Sequence, residues 1–217
     1  MNRLQRYLLL VVLGIAGTTQ ALGANLKVPL RKLTDARELV LRCITDQQSI
    51  QIPLPERWSV RRAGLRLRYT VSNNLARDSS QLVIKLNDIV VAQTRLNPQS
   101  PDAVIDVPIP TDLMQPGYNR LSFESVQHSV GTTRQQCESP CSPDMWTNID
   151  LKESFLQIDY DLEPVPLDLS KLSGFVFDPR LTPEGSVHLV TEDLSEPAVN
   201  AAAVVASGIR VASIIAR

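Results

Sequence analysis

The sequence predicts an antiparallel two-sheet β-sandwich, jelly-roll or immunoglobulin-like, followed by the opening of an α/β domain. Three observations carry that prediction. Short period-two hydrophobic segments recur between residues 38 and 162. Fifteen prolines suit strands and structured loops better than helices. After residue 163 the pattern changes to a brief apolar strand and an alanine-rich helix.

The N-terminus comes first. Residues 1–24 read MNRLQRYLLLVVLGIAGTTQALGA, with Arg3 and Arg6 ahead of an apolar run and small residues after it. That order is a secretory signal peptide, with cleavage expected near Gly23 or Ala24. The apolar run is short for a membrane span, which needs about 20 apolar residues. An uncleaved anchor is the alternative. No later segment is long and apolar enough to cross a bilayer.

The strands follow in order. Residues 38–43 (ELVLRC) and 49–55 (SIQIPLP) are short strands. Residues 60–71 (VRRAGLRLRYTV) alternate most clearly. Ala63, Leu65, Leu67, Tyr69 and Val71 share one face, while Arg62, Arg66, Arg68 and Thr70 share the other, the pattern of a half-buried strand. Residues 81–86 and 89–96 form a hairpin around Asn87-Asp88, a weaker turn signal than Asn-Gly. Strands 103–110, 118–127 and 154–162 complete a set of eight, the last placing Leu156, Ile158, Tyr160 and Leu162 on one face.

Domain boundaries fall at 25–163 for the sandwich and 164–217 for a linker and an incomplete α/β domain. In the second part SVHLV (186–190) is a strand, Ser195 caps a helix over AVNAAAVVA, and IRVASIIAR is a further apolar stretch. So few residues cannot complete a doubly wound domain.

Composition excludes several function classes. Lys and Arg total 22 against 23 Asp and Glu, and losing Arg3 and Arg6 with the leader widens the acidic excess. No basic domain for nucleic acid is present. Aromatic residues are 5% of the chain, so any sugar platform rests on few rings. No phosphate loop, Gly-x-Ser-x-Gly or His-Glu-x-x-His motif occurs. No catalytic residue, cofactor or metal is expected.

Three cysteines in an exported chain leave one pair and one thiol. The bridge either closes within the loop, Cys137 to Cys141, or runs from Cys43 to either of them; Cys137 in particular is expected to be oxidised, and the bridge pins the loop before Trp146. A zinc knuckle from Cys43, His128, Cys137 and Cys141 and a redox centre are weaker readings, because neither spacing suits them. Trp146 and Trp58 are the candidate sugar-stacking rings, although burial is the plainer role for both. Arg62, Arg66 and Arg68 form a basic row that contacts an acidic partner or simply guards an edge. Asp102, Asp106 and Asp112 read as solvated loop acids rather than paired catalytic carboxylates. His188 reads as structural.

In the order and spacing of its segments the chain resembles the N-terminal part of the periplasmic regulatory subunit of bacterial cellulose synthase, the BcsB family. The stretches that carry the resemblance are IQIPLPERWSVRRAGLRLRYTVSNNL, SSQLVIKLNDIVV, and PGYNRLSFESVQH leading into CESPCSPDMWTNIDLKESFLQIDY. GFVFDPRL and AAAVVASGI resemble the entry to the next domain. The resemblance implies a jelly-roll domain of the carbohydrate-binding class, then a flavodoxin-like α/β domain. In the family both modules repeat before a C-terminal transmembrane helix. The present residues do not reach the second sandwich or that anchor, and Cys141 so close to Cys137 is a departure.

The resemblance implies a non-catalytic accessory subunit for cellulose synthesis and export. It would lie in the periplasm at the inner membrane, with the catalytic subunit as partner and a glucan chain as a further contact. Membrane association would come through the partner or the absent anchor. Cyclic di-GMP enters through the catalytic subunit's cytoplasmic domain, so direct nucleotide binding is not expected. The alternative is a stand-alone carbohydrate-binding module or a truncated remnant.

Overall fold

Alternation is strongest in residues 60–71, and these residues form the longest strand. The computed structural model describes residues 23–130, 140–164, 180–181 and 195–204. Its ten strands are β1 (Ala24–Pro29), β2 (Leu39–Arg42), β3 (Thr45–Leu54), β4 (Trp58–Val71) and β5 (Gln81–Leu86), followed by β6 (Ile89–Arg95), β7 (Asp102–Ile109), β8 (Gly117–Val126), β9 (Trp146–Ile149) and β10 (Phe155–Leu162).

The strands make two antiparallel sheets. The first runs β1-β10-β4-β9-β2, with β7 also paired to β4. β10 pairs with Trp58–Arg66 and β9 with Tyr69–Val71, while β7 pairs with residues 63–70. Since β7 overlaps both registers, it lies along the opposite edge of β4. The second sheet runs β3-β8-β5-β6. Between β2 and β5, and again from β6 to β9, the chain crosses from one sheet to the other at each step. Rows β2-β9-β4-β7 and β3-β8-β5-β6 have jelly-roll connectivity, which sets the immunoglobulin-like alternative aside.

The core fills the space between the sheets. Leu65, Leu67, Tyr69 and Val71 from β4 and Leu156 and Ile158 from β10 face Ile50, Ile52, Leu82, Ile84, Leu121 and Phe123 of the second sheet. Fully burying a side chain of this kind contributes about 1.5–3 kcal/mol. The β5–β6 hairpin turns at Asn87 and Asp88, with φ of 49° and 68°. Asn tolerates that left-handed backbone, and its side chain bonds both Leu113 O and Asn119 Oδ1.

Two strands lack the period-two signal that marks the other eight. β1 carries only Leu26 and Val28 on its inner face and adjoins the end of the apolar leader. β9 buries Thr147 and Ile149, so a polar residue holds one inward position. β3 also starts earlier than expected, because the polar run TDQQ pairs with β8.

The last strand of the sandwich ends at Leu162. Glu163 N donates to Arg57 O at 2.8 Å, and the Arg57 guanidinium donates to Glu163 O. Leu181 nevertheless returns to the sandwich core, and Arg180 Nη1 donates to Leu33 O at 3.2 Å. Residues 196–204 form helix α1, whose first turn is closed by Val199 N donating to Ser195 O. SVHLV with His188, IRVASIIAR and any flavodoxin-like continuation lie outside the described residues.

Candidate functional site

Antiparallel register places outward residues of four strands side by side across the first sheet. Gly64 of β4 stands opposite Pro108 of β7 on one side and Gln157 of β10 on the other. Gln157 in turn faces Lys27 of β1. One row along, Arg66 stands opposite both Asp106 and Phe155; on the other side Arg62 stands opposite Asp159. Because Gly64 has no side chain, the middle row is low and its neighbours form walls. The result is a trough of about 430 Å³. It runs across β7, β4 and β10, and Pro108 to Gln157 covers two strand spacings, about 10 Å.

Nothing in the backbone requires a glycine here. Gly64 is outside the left-handed region that the glycine of Gly117 occupies. A Cβ on Gly64 meets only Val107 O, at 3.8 Å, an ordinary contact. Glycine within a strand costs about 0.5–1 kcal/mol relative to alanine.

The trough's charges are interleaved. Arg66 Nε lies 3.2 Å from Asp106 Oδ1. Arg68 Nη2 lies 2.7 Å from Asp102 Oδ2 just beyond the trough. The hydrogen bond from Arg68, reinforced by its charge, holds the Asp102 carboxyl below the usual carboxylate range. Asn25 donates to Asp159, and the Lys27 ammonium sits 3.6 Å from the centroid of the Phe155 ring. Among the described residues Arg62 makes no ion pair. Ring, amide, guanidinium and carboxylate thus surround a flat floor, an arrangement suited to a polyhydroxylated ligand with apolar faces.

This geometry resolves the basic row and the acids together. Arg66 and Arg68 are neutralised by Asp106 and Asp102 across β4 and β7, so neither set acts alone. Asp112 is exposed in the 3-10 turn that follows β7. Phe155, Gln157 and Gly64 were not among the expected site residues. The alternation of residues 154–162 does hold the signal, since Phe155, Gln157 and Asp159 occupy the face opposite Leu156 and Ile158.

The expected rings go elsewhere. Trp58 is buried, with its ring stacked on Tyr160, and has no face to offer a sugar. Its candidacy as a platform is corrected. Trp146 alternates with buried Thr147 and Ile149 and is half-buried on the outer face, beside Arg42 of β2. It lies well along the sheet from Gly64, so the structure does not bring it into the trough.

Cys43 is joined to Cys141. Of the pairings left open, this is the one from Cys43 to the second loop cysteine; the narrower expectation that Cys137 is the oxidised member is corrected, since both of its expected partners are taken, and Cys137 itself lies outside the described residues. With both sulfurs in the bridge, the zinc knuckle loses two of its ligands. The bridge ties the β2–β3 turn to the segment leading into Trp146, and Ile44 N donates to Pro140 O beside it. His128 sits past the end of β8, where its backbone N–H donates to Ser80 Oγ.

Residues 24–162, the whole sandwich, match the family described as "Cellulose synthase BcsB, first CBM domain". The chain belongs to the BcsB family.

Curated BcsB relatives carry the name "Cyclic di-GMP-binding protein". That of Salmonella typhi is 30% identical over 175 residues, covering 78% of this chain and 22% of the relative. That of Escherichia coli O157:H7 is 31% identical over 147 residues, covering 65% and 18%. The chain spans about a fifth of the length of these relatives. Among solved structures, the CBM36-1 domain of a multidomain xylanase from the hindgut metagenome of Trinervitermes trinervoides covers 63% of this chain and 95% of that domain. Its TM-score is 0.32 at 13% identity, an overlap too slight to bear on function. The N-terminal position expected within BcsB agrees with the matched first domain.

Proposed function

We propose that this BcsB-family chain is the carbohydrate-binding N-terminal part of a non-catalytic accessory subunit of cellulose synthase. It is exported to the periplasm and associates there with the membrane-embedded catalytic subunit. The family match across the complete sandwich carries this reading.

The local chemistry supports binding over hydrolysis. A glycosidase needs two carboxylates facing a scissile bond, one with a raised pKa. Asp102 is held low instead, and Asp106 is tied to Arg66. A cyclic dinucleotide, the ligand in the relatives' name, presents phosphates that want unpaired guanidinium groups. Arg66 and Arg68 are already committed to carboxylates, which leaves Arg62 as a single guanidinium for two phosphates, with Asp106 and Asp159 beside it. The outer face therefore favours an uncharged glycan.

The test uses the exported chain in a cellulose-producing bacterium. Intact mass should show removal of the leader near Gly23 or Ala24. The chain should co-purify with the catalytic subunit, and its deletion should lower cellulose output. Normal output from deleted cells, with no co-purification, would sink the accessory role. Hydrolysis of cello-oligosaccharides by the pure chain would sink the non-catalytic reading.

A further inference from the structure

We infer that the trough floored by Gly64 is a glycan cleft that holds a short run of an uncharged pyranose chain across the strands. The inference rests on the carbohydrate-binding reading above and names the site and ligand class for it.

A strand interior normally carries a β-branched or aromatic side chain, and glycine there marks a bulge or a close approach. The register shift in the β4–β10 pair lies at Asp159/Tyr160, clear of the Gly64–Gln157 pair. Among the described residues the one atom that a Cβ on Gly64 would meet within 4 Å is Val107 O, at 3.8 Å, an ordinary contact that neither excludes nor requires a side chain. Among the described residues nothing fills the space above Gly64, which leaves it free for a ligand.

The walls say what that is. Phe155 supplies a ring, and Pro108 an apolar surface at the far end of the floor. Either accepts the C–H face of a pyranose. Gln157 offers both an amide donor and an acceptor, and Arg62 offers donors not taken up by an ion pair. Those groups match equatorial hydroxyls. Lys27 covers the Phe155 ring on a flexible stem, and its ammonium is the part that yields to a sugar. A polyanion would meet Asp106 and Asp159, and a polycation would meet Arg62 and Arg66. The interleaved charges thus select a neutral chain.

Gly64→Val is the decisive variant because it fills the floor with a side chain that strands favour. Calorimetric titration of the full chain with cello-oligosaccharides is run beside thermal unfolding. The expected result is at least a tenfold loss of affinity with an unchanged or raised Tm. Phe155→Ala and Gln157→Ala should each weaken binding severalfold. These two carry the test if Gly64→Val unfolds. Folded variants that bind like wild type would overturn the trough while leaving a glycan site elsewhere on the chain. Wild type that binds no cello-oligosaccharide would overturn the trough and the glycan-binding reading together, while the accessory role stands or falls on co-purification. Tighter binding of an acidic oligogalacturonide than of the neutral oligomer would overturn the ligand class.

Discussion

Trp58 lies flat on Tyr160, with ring centroids 3.7 Å apart and planes 10° apart. The pair joins the start of β4 to the end of β10 at the edge of the core. Trp58→Ala should therefore act on stability. A buried Trp→Ala change costs about 3–5 kcal/mol, read as a lowered denaturant midpoint. Unchanged stability with lost glucan binding would return Trp58 to the list of sugar platforms.

Burial beside Trp58 raises the Tyr160 phenol above its ordinary pKa. The folded state thus disfavours the phenolate more than the unfolded state does. The contribution is complete below the ordinary tyrosine value, about 10, and declines as pH rises past it and through the higher folded value. Tyr160→Phe should flatten that alkaline decline in urea melts run at successive pH values. An unaltered slope would contradict the assignment.

The Cys43–Cys141 bridge spans a sequence separation of 98 residues. Closing so long a loop restricts the unfolded chain by about 4–5 kcal/mol in the chain-entropy picture. Non-reducing peptide maps should join the Cys43 and Cys141 peptides, and Cys137→Ser should leave that link in place. Cys43→Ser should lower stability, and a map pairing Cys137 with either cysteine would refute the connectivity.

Gln127 is fully buried where the two sheets meet beside the bridge. Its Nε2 donates to Ser125 Oγ at 3.0 Å and Cys43 O at 3.2 Å, and its Oε1 accepts from Thr147 Oγ1 at 3.0 Å. Gln127→Leu leaves those groups buried without partners, a loss of about 1–3 kcal/mol for an unmet buried group. Chemical denaturation measures it, and a neutral result would mean that the site rearranges.

Asp102 and Asp106 sit in solvent, where an ion pair contributes little. Asp102→Asn and Asp106→Asn should leave Tm close to wild type near neutral pH. Because Arg68 depresses the Asp102 carboxyl, its stabilising effect is present above the ordinary aspartate pKa and fades as pH falls through the folded value. Asp102→Asn should accordingly remove a small part of the acid sensitivity. A large Tm drop at neutral pH would show that the pair has a role in packing.

Alternation in residues 60–71, 81–86 and 154–162 was enough to name the strands, the sandwich and most inward faces; Leu162, expected inward with Leu156 and Ile158, is exposed because a register shift at Asp159/Tyr160 interrupts the alternation. That information is local: side chains two apart share a face, whatever the strand pairs with. The basic row on β4 was legible for the same reason. Its meaning was not. Arg66 meets Asp106 and Gly64 meets Pro108 and Gln157 only once β7 and β10 take their registers on β4. Register comes from pairing across long stretches of chain, and a slip of one residue would turn those groups to the other face. The cysteines follow the same division. Their odd count and the leader foretold one bridge, but the choice of Cys43 with Cys141 needed the β2–β3 turn and the segment before β9 to meet in space. Trp58 and Trp146 looked alike as isolated rings. A bulge and a stacking partner put one inside, and the alternation of a four-residue strand put the other on the outer face.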